Sequence, residues 1–411
     1  MNVDTMRAVD KWAGIPLTFL LTLLNRLITL VRPTRTRPIQ RILFIELSEM
    51  GSTILVDPAL QKAKKEFDAE LFFLIFAKNK GSLGLTATIA PENIRTLREN
   101  NLFLLILDTV TFFFWCRKKR IDTVVDLELF SRFTALLSGL SGCCRRVGFY
   151  AFHNEGLYRG ELLTHRIAYN PHIHIAKNFI AMINALLSEE KEVPYSKKQV
   201  EDSELILPQY ICPPGEAARI RKLLAEYTGT VIDKQAHLVL INPNASELLP
   251  QRRWPQTRYE SLIRAILDHR QDVLVLITGA PGERDEAAEM CARIGSDRCL
   301  NCAGALKLAE LPILYSMAAL MVTNDSGPGH FSAITPLPTF VLFGPETPSL
   351  YGSLGNSTPI FAGLACSPCV SAANHRKTPC TDNKCLQAIT VEQVFSLVRR
   401  VLDKLPAAAG Q

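Results

Sequence analysis

Residues 318–345 read AALMVTNDSGPGHFSAITPLPTFVLFGP. An apolar run enters a knot of turn-forming and polar residues, Asn324, Asp325, Ser326, Gly327, Gly329 and His330, and a second apolar run, TFVLFGP, follows at 339–345. A short buried run, a turn, a helix and another short buried run make up the repeating unit of a parallel sheet covered by helices. The same grammar occurs upstream at HLVLINP (237–243) and DVLVLITG (272–279). It occurs again in the first half, where RILFIEL (41–47) passes through the turn-prone SEMGST into the helix-like ILVDPALQKAKKEF. LFFLIF (71–76), LFLLIL (102–107) and TVVDLEL (123–129) read as further short buried runs. The polar, proline-containing SEEKEVPYSKKQVEDSE (188–204) separates the halves, and the helix-like PGEAARIRKLLAEY follows it.

This pattern predicts an α/β chain of two Rossmann-like, doubly wound domains, 39–210 and 211–411, facing a central cleft, preceded by an N-terminal segment over 1–38. Open α/β sheets bind ligands beyond the carboxyl ends of their strands, so the segments that follow each strand are the ones to search. A length of 411 residues is too great for one ordinary core and suits two domains. With 47% hydrophobic and 21% charged residues the composition is globular. The net charge of +6 is modest, and no basic run interleaved with aromatics suggests a nucleic-acid partner. Eleven cysteines outside any short secreted framework, with no cleavable leader pattern, point to the cytoplasm.

The segment WAGIPLTFLLTLLNRLITLV (12–31) is nearly apolar enough to span a membrane, but Asn25 and Arg26 interrupt it. Thr18, Thr22, Asn25 and Thr29 fall on one helical stripe, and leucines cover the broad opposite face. Arg7, Lys11, Arg26, Arg32, Arg35, Arg37 and Arg41 surround it with positive charge. Such an amphipathic helix lies in an anionic membrane interface, or packs on the protein's own core. PTRTRP (33–38) reads as a tether, because its prolines do not continue a helix.

After the second-half strands come NASELLPQRRWP, APGERDEA and SGPGH. A surface lined this way offers backbone N–H groups, hydroxyls and guanidinium groups, which suit a diphosphate. Arg252 and Arg253 are candidate counter-charges, while Trp254 has the character of a packing residue. Gly327 and Gly329 permit close approach of a ligand, Ser326 caps a helix or donates to an oxygen, and His330 reaches a phosphate or leaving oxygen. Taken alone, Asp325 and Ser326 would do no more than cap a helix.

They do not stand alone. NPNASELLPQRRWPQTRYESLI, LVLITGAPGERDEA and NCAGALKLAELPILYSMAALMVTNDSGPGHFSAITPLPTFVLFGPETP, in that order and spacing, resemble the donor half of glycosyltransferase family 9, the lipopolysaccharide heptosyltransferases. ILFIELSEMGSTILVDPAL and DTVVDLELFSRFTALLSGLSGCCRRVGF resemble the family's N-terminal half. The resemblance implies a GT-B fold and inverting transfer of a sugar, typically heptose from ADP-heptose, to a lipid-linked core, with no divalent metal required. It implies that Asp325, Ser326, Gly327 and His330 bind the diphosphate and sugar, with Arg252 near the phosphates. Ser246 and Gly279 would fall in nucleotide-contacting loops, and the backbone at Leu306 would face the base.

One departure concerns the base. The family's first loop usually reads S-x-x-G-D, whose Asp takes the acceptor proton; here Ser48, Glu49, Met50, Gly51 and Ser52 put a serine in that place. A serine hydroxyl is no base at neutral pH unless activated, so Glu49 in the loop or Glu46 at the strand end is the candidate carboxylate. Either glutamate has a plainer alternative in pairing with N-terminal arginines. Cys366, Cys369, Cys380 and Cys385, spaced C-x2-C-x10-C-x4-C, suit a structural zinc or remain free thiols.

The sequence thus predicts a glycosyltransferase peripheral to the cytoplasmic face of the inner membrane, acting on a nucleotide-diphosphate sugar and a lipid-linked glycan. Another GT-B transferase, a nucleotide-sugar epimerase, or a sugar-nucleotide binding protein without turnover are the alternatives.

Overall fold

The computed structural model describes residues 3–31, 38–47, 50–129, 131–152, 157–189, 191–246, 249–371, 374 and 376–407. Packing divides the chain into two compact units, Met1–Ile206 and Leu207–Gln411. The N-terminal helices therefore belong to the first unit, and the division falls slightly ahead of the boundary at 210 read from sequence.

Unit 1 contains the helices α1 (Val3–Trp12), α2 (Gly14–Val31), α3 (Ser52–Phe67), α4 (Leu83–Thr86), α5 (Leu102–Lys118), α6 (Arg132–Leu140) and α7 (Ile175–Leu186). Its strands are β1 (Arg41–Ile45), β2 (Glu70–Phe76), β3 (Ile94–Leu97), β4 (Thr123–Asp126), β5 (Arg145–Phe149) and β6 (His165–Ile167), all parallel, in the order β3-β2-β1-β4-β5-β6. Unit 2 begins with α8 (Glu216–Thr228), β7 (His237–Asn242), α9 (Gln256–His269), β8 (Val273–Ile277), α10 (Arg284–Ile294) and β9 (Cys299–Asn301). It continues with α11 (Leu311–Met317), β10 (Ala318–Asn324), α12 (Gly327–Phe331), β11 (Thr339–Phe343), α13 (Pro348–Tyr351), β12 (Ser357–Phe361), α14 (Lys384–Gln387) and α15 (Val391–Leu402). Its sheet, β12-β11-β10-β7-β8-β9, is also parallel and has the same connectivity. In each sheet the chain first winds outward from the central strand and then returns to wind the other way. The switch points lie between β1 and β4 and between β7 and β10.

The central strands are mostly apolar and buried because helices cover both faces. In unit 1, Leu43, Ile45, Phe72, Leu74 and Val124 pack against Phe112 and Cys116 of α5 and Leu137 of α6. In unit 2, Val239, Ile241, Val275 and Val322 pack against Tyr259 and Ile263 of α9 and Val394 and Val398 of α15.

One sequence reading is corrected. LFLLIL (102–107) is the start of α5, not a strand: the Asn101 side chain accepts from the N–H groups of Phe103 and Leu104 at 2.8 and 3.4 Å, which starts a helix there. The apolar N-terminal segment forms the continuous helix α2 from Gly14, preceded by the short α1. No helix among the described residues is long and apolar enough to cross a membrane.

Thr18 and Thr22 of the polar stripe of α2 face the protein. Thr18 and Thr22 are buried, each hydroxyl donating to a helical carbonyl at 2.7 Å, and the Glu161 N–H donates to Thr22 Oγ1 at 2.9 Å. Gly160, at φ +74°, makes this approach possible: a Cβ there would lie 2.7 Å from Thr22 Oγ1. The leucine face, with Leu17, Leu20, Leu24 and Leu27, is exposed. The tether residues 32–37, including Arg32, Arg35 and Arg37, lie outside the described residues.

Candidate active site

At the carboxyl end of the unit 2 sheet, Asn324 is the last residue of β10 and is fully buried. Its Nδ2 donates to the Pro243 carbonyl at 2.7 Å, and its Oδ1 accepts from the Trp254 N–H and the Tyr259 hydroxyl, both at 3.0 Å. One amide thereby ties the loop after β7 to the start of α9. Trp254 is buried edge-on against Tyr259, and its indole N–H donates to the Ile389 carbonyl at 3.0 Å, so it is a packing residue.

This framework aims Arg252 at Asp325. Arg252 Nε and Asp325 Oδ2 face each other at 3.7 Å, too far for a hydrogen bond, and neither atom has another hydrogen-bond partner. Arg252 Nη2 donates to Glu346 Oε1 at 3.0 Å, and Arg376 Nε lies 3.4 Å from the same oxygen. Burial raises the Asp325 carboxyl, opposed by Arg252. Burial also pushes Glu346 up to about 7, against the pull of Arg252 and with repulsion from Asp325 adding to it. For Arg252, burial works against the charge, but the two carboxylates outweigh it and hold the pKa above the ordinary value. Two buried acids share Arg252, an arrangement that an incoming anion or polyol can enter by rearranging hydrogen bonds already under competition.

Arg253 points elsewhere: its Nη2 and Nε donate to the Ala245 carbonyl at 2.9 and 3.3 Å, holding the loop that carries Ser246, which is exposed. Ser326 occupies the N-cap position of α12, yet its hydroxyl donates to the Asn324 carbonyl at 3.2 Å and makes no cap hydrogen bond. A Cβ on Gly327 would touch the Phe331 ring at 3.0 Å, and one on Gly329 would meet Ser353 Oγ at 3.1 Å and a Val341 methyl at 3.3 Å. Both glycines therefore serve close packing within unit 2. His330 Nδ1 lies 3.3 Å from Ser353 Oγ.

Gly279 ends the β8 segment where Glu283 Oε2 folds back to accept from the Ala280 N–H at 2.6 Å, and a Cβ there would lie 2.7 Å from that oxygen. The Gly304 N–H donates to the Gly279 carbonyl at 2.9 Å, joining the β8 loop to the one carrying half-buried Leu306. The nominated donor residues thus lie on the four loops at one sheet end, but the only direct ion pair among the nominated described residues is Arg252 with Asp325. Glu346, which the sequence reading missed, completes that cluster; a glutamate in Gly-Pro-Glu directly after a buried strand was the available signal.

In unit 1 the corresponding end of the sheet carries Glu46, buried at the end of β1, and Ser52, the first residue of α3. Glu49 lies outside the described residues. The neighbouring strand end was not nominated: Glu128 Oε1 accepts from the Leu47 N–H at 2.9 Å, and Asp126 Oδ1 accepts from the Glu128 N–H at 3.2 Å. Arg159 binds the other Asp126 oxygen and donates to the carbonyls of Glu128 and Ser131 at 2.6 and 3.0 Å and to Thr134 Oγ1 at 3.0 Å. Burial lifts Asp126 to about 6 against the charge of Arg159.

All eleven cysteines are free thiols. Thr378 Oγ1 donates to Cys369 Sγ at 3.3 Å, Cys380 Sγ lies 3.5 Å from Asp382, and Cys366 is exposed. Among the described residues no three His, Cys, Asp or Glu side chains are gathered to hold a metal.

The model of glycosyltransferase family 9 (heptosyltransferase) matches residues 162–378. Lipopolysaccharide heptosyltransferase 2 of Salmonella typhimurium is 30% identical over 106 residues, an alignment that takes in 25% of this chain and spans only 30% of the relative's length. Lipopolysaccharide heptosyltransferase 1 of Escherichia coli is 21% identical over 322 residues, 77% of this chain and 92% of that protein. The structure of the E. coli ADP-heptose lipopolysaccharide heptosyltransferase II superposes with a TM-score of 0.69 at 20% identity, covering 89% of this chain and 99% of that one, which places the fold among GT-B proteins. With more than half of its 411 residues under the family model, the chain belongs to glycosyltransferase family 9, the heptosyltransferase family.

Proposed function

We propose that this chain is an inverting glycosyltransferase that moves a sugar, heptose in the leading reading, from an ADP-linked donor to a lipopolysaccharide-core or related glycolipid. The acceptor oxygen attacks the anomeric carbon as the bond to the diphosphate breaks, and the acceptor proton passes to a carboxylate of unit 1, Glu46 or Glu49. Unit 2 binds the donor. Arg252 supports this reading most directly, because its Nε is a buried donor with no hydrogen bond beside a carboxylate in the same condition. A diphosphate oxygen would take the guanidinium N–H, and sugar hydroxyls would donate to Asp325. Ser246, Gly279 and the Leu306 backbone would line the nucleoside, and His330 would face the leaving oxygen.

The exposed leucine face of α2 supports attachment to the inner surface of the membrane, where a lipid-linked acceptor resides. Serine at position 52 favours one competing reading, a donor-binding protein without turnover.

Thermal unfolding with ADP, UDP and GDP tests the proposal. ADP at a hundred times its Kd should stabilise the protein by about 2.7 kcal/mol, and the other two should do less. Equal response to all three removes the ADP assignment. Stabilisation by ADP with no consumption of ADP-heptose in the presence of core glycolipid favours the binding protein.

A further inference from the structure

We propose that α5 is a second lipid-contacting helix, forming with α2 a single docking face of unit 1 for a leaflet bearing anionic headgroups. This inference rests on the membrane reading given for α2 and extends it to a part of the chain with no sequence link to the N-terminus.

The face of α5 opposite the sheet is apolar. Phe103, Ile106, Leu107, Val110 and Phe114 recur at helical spacing, and Phe103 and Phe114 are 71% and 68% exposed. The helix turns its polar content inward: Asp108, its one acid, is buried and receives both a backbone N–H and the guanidinium of Arg98 at 2.7 to 2.9 Å. That is the arrangement found in α2, where Thr18 and Thr22 face inward and leucines face outward. Two helices distant in sequence share an inverted pattern, with hydrogen-bonding groups packed on protein and large apolar groups outward.

Both faces lie on one side of the sheet. α2 packs along α6, and α5 touches α6 as well. Met6 of α1, Leu105 and Phe113 of α5 and Phe133 of α6 pack into the same core cluster, so these three helices cover one face of the sheet, and α2 packs on α6 and α1 of that group.

Charge selects the occupant. The sequences of α2 and α6 contain no acid, and Asp10 of α1 is bound by Arg132 and the Phe133 N–H at 3.2 and 2.9 Å. At the carboxyl end of α5, Arg117, Lys118 and Arg120 are exposed. Lys118, Lys119, Arg120 and Arg41, with Glu70, line a hollow of about 370 Å³ there. At the end of α1, Trp12 is 77% exposed with Lys11 Nζ 5.8 Å from its ring centroid. An apolar surface edged by cations and an interfacial tryptophan matches acyl chains beneath phosphate headgroups better than it matches a second copy of itself, whose cations would repel.

The test is flotation of the full chain with phosphatidylcholine vesicles, with and without phosphatidylglycerol. Wild type should float with the anionic vesicles and release as salt rises. Phe103→Ser combined with Phe114→Ser should weaken binding at least about tenfold, as should Lys118→Gln combined with Arg120→Gln at low salt. Leu20→Ser combined with Leu24→Ser tests α2 separately. Unchanged binding by the phenylalanine pair, with loss in the leucine pair, overturns the α5 proposal and keeps the α2 reading. A wild type that floats with neither vesicle overturns both. A wild-type dimer that the phenylalanine pair converts to a monomer, without vesicle binding, assigns the face to self-association and also overturns the proposal. Retention of wild-type melting by the variants shows that they remain folded.

Discussion

The two sheets have one strand order, and each lodges an arginine against an aspartate where its winding reverses, yet the two arginines are held differently. In unit 1, Arg159 binds Asp126, Thr134 and the carbonyls of Glu128 and Ser131, so its N–H groups and the Asp126 carboxylate are satisfied within the protein. In unit 2, Arg252 bonds Glu346 through Nη2 and stops short of Asp325, leaving Nε and Oδ2 facing each other at 3.7 Å without hydrogen bonds. A saturated buried ion pair pins loops, whereas one with open donor and acceptor positions is prepared for a ligand. The same topology thus carries a structural clasp in one unit and a candidate anion site in the other.

Giving both arginines the same substitution separates these roles. Arg159→Lys keeps the charge beside Asp126, but a single ammonium does not reach Asp126, Thr134 and two carbonyls together. At least two buried acceptors lose their partner, so unfolding in urea should show a loss of roughly 3 to 4 kcal/mol. A loss below about 1 kcal/mol would mean that the clasp is dispensable and the contrast between the units is wrong.

Arg252→Lys should behave in the opposite way. The ammonium still sits between Asp325 and Glu346, so stability changes by less than about 1 kcal/mol. The lost guanidinium N–H weakens ADP about 10- to 100-fold, corresponding to 1.4 to 2.8 kcal/mol, measured by calorimetric titration. Full ADP affinity in the lysine variant would move the phosphates away from Arg252.

The strand–turn–helix grammar was legible because central parallel strands are mostly apolar, and β1, β2, β4, β7, β8, β10 and β11 fall on the runs read as strands. The edge strands β3 (IRTL), β6 (HRI), β9 (CLN) and β12 (STPIF), with β5 (RRVGF) next to β6, are short and partly polar, and nothing in their composition separates them from loops. LFLLIL failed for the opposite reason: it is apolar all round, so its local pattern does not distinguish a buried strand from the first turns of α5. Arg252 and Asp325 were found as parts of adjacent motifs, and the structure pairs them. Arg159 was out of reach, because its partner Asp126 is 33 residues away and nothing local marks the contact. Glu346 was missed because a glutamate after a strand is ordinarily solvated; only the converging Arg252, Asp325 and Arg376 give it a role.

Glu346 also supplies the finest test of the contrast. Its carboxyl is raised from the ordinary glutamate range to about 7, because burial outweighs Arg252 and Asp325 repels its charge. The folded state then holds this proton more tightly than the unfolded chain does. Its contribution to stability is complete below the unfolded pKa, near 4.5, and is lost as pH rises through about 7. Glu346→Gln keeps an acceptor for Arg252 but does not titrate, so between pH 5 and 8 the variant should lose less stability than wild type, by roughly 1 to 2 kcal/mol. Denaturant titrations across that range measure the difference in slope. Because Arg252 then faces Asp325 alone, the gain at pH 8 should accompany a tighter Arg252–Asp325 pair and a modestly weaker response to ADP. Identical pH slopes in the two proteins would show that Arg252 and Arg376 already satisfy Glu346, and unit 2 would hold a clasp as closed as the one in unit 1.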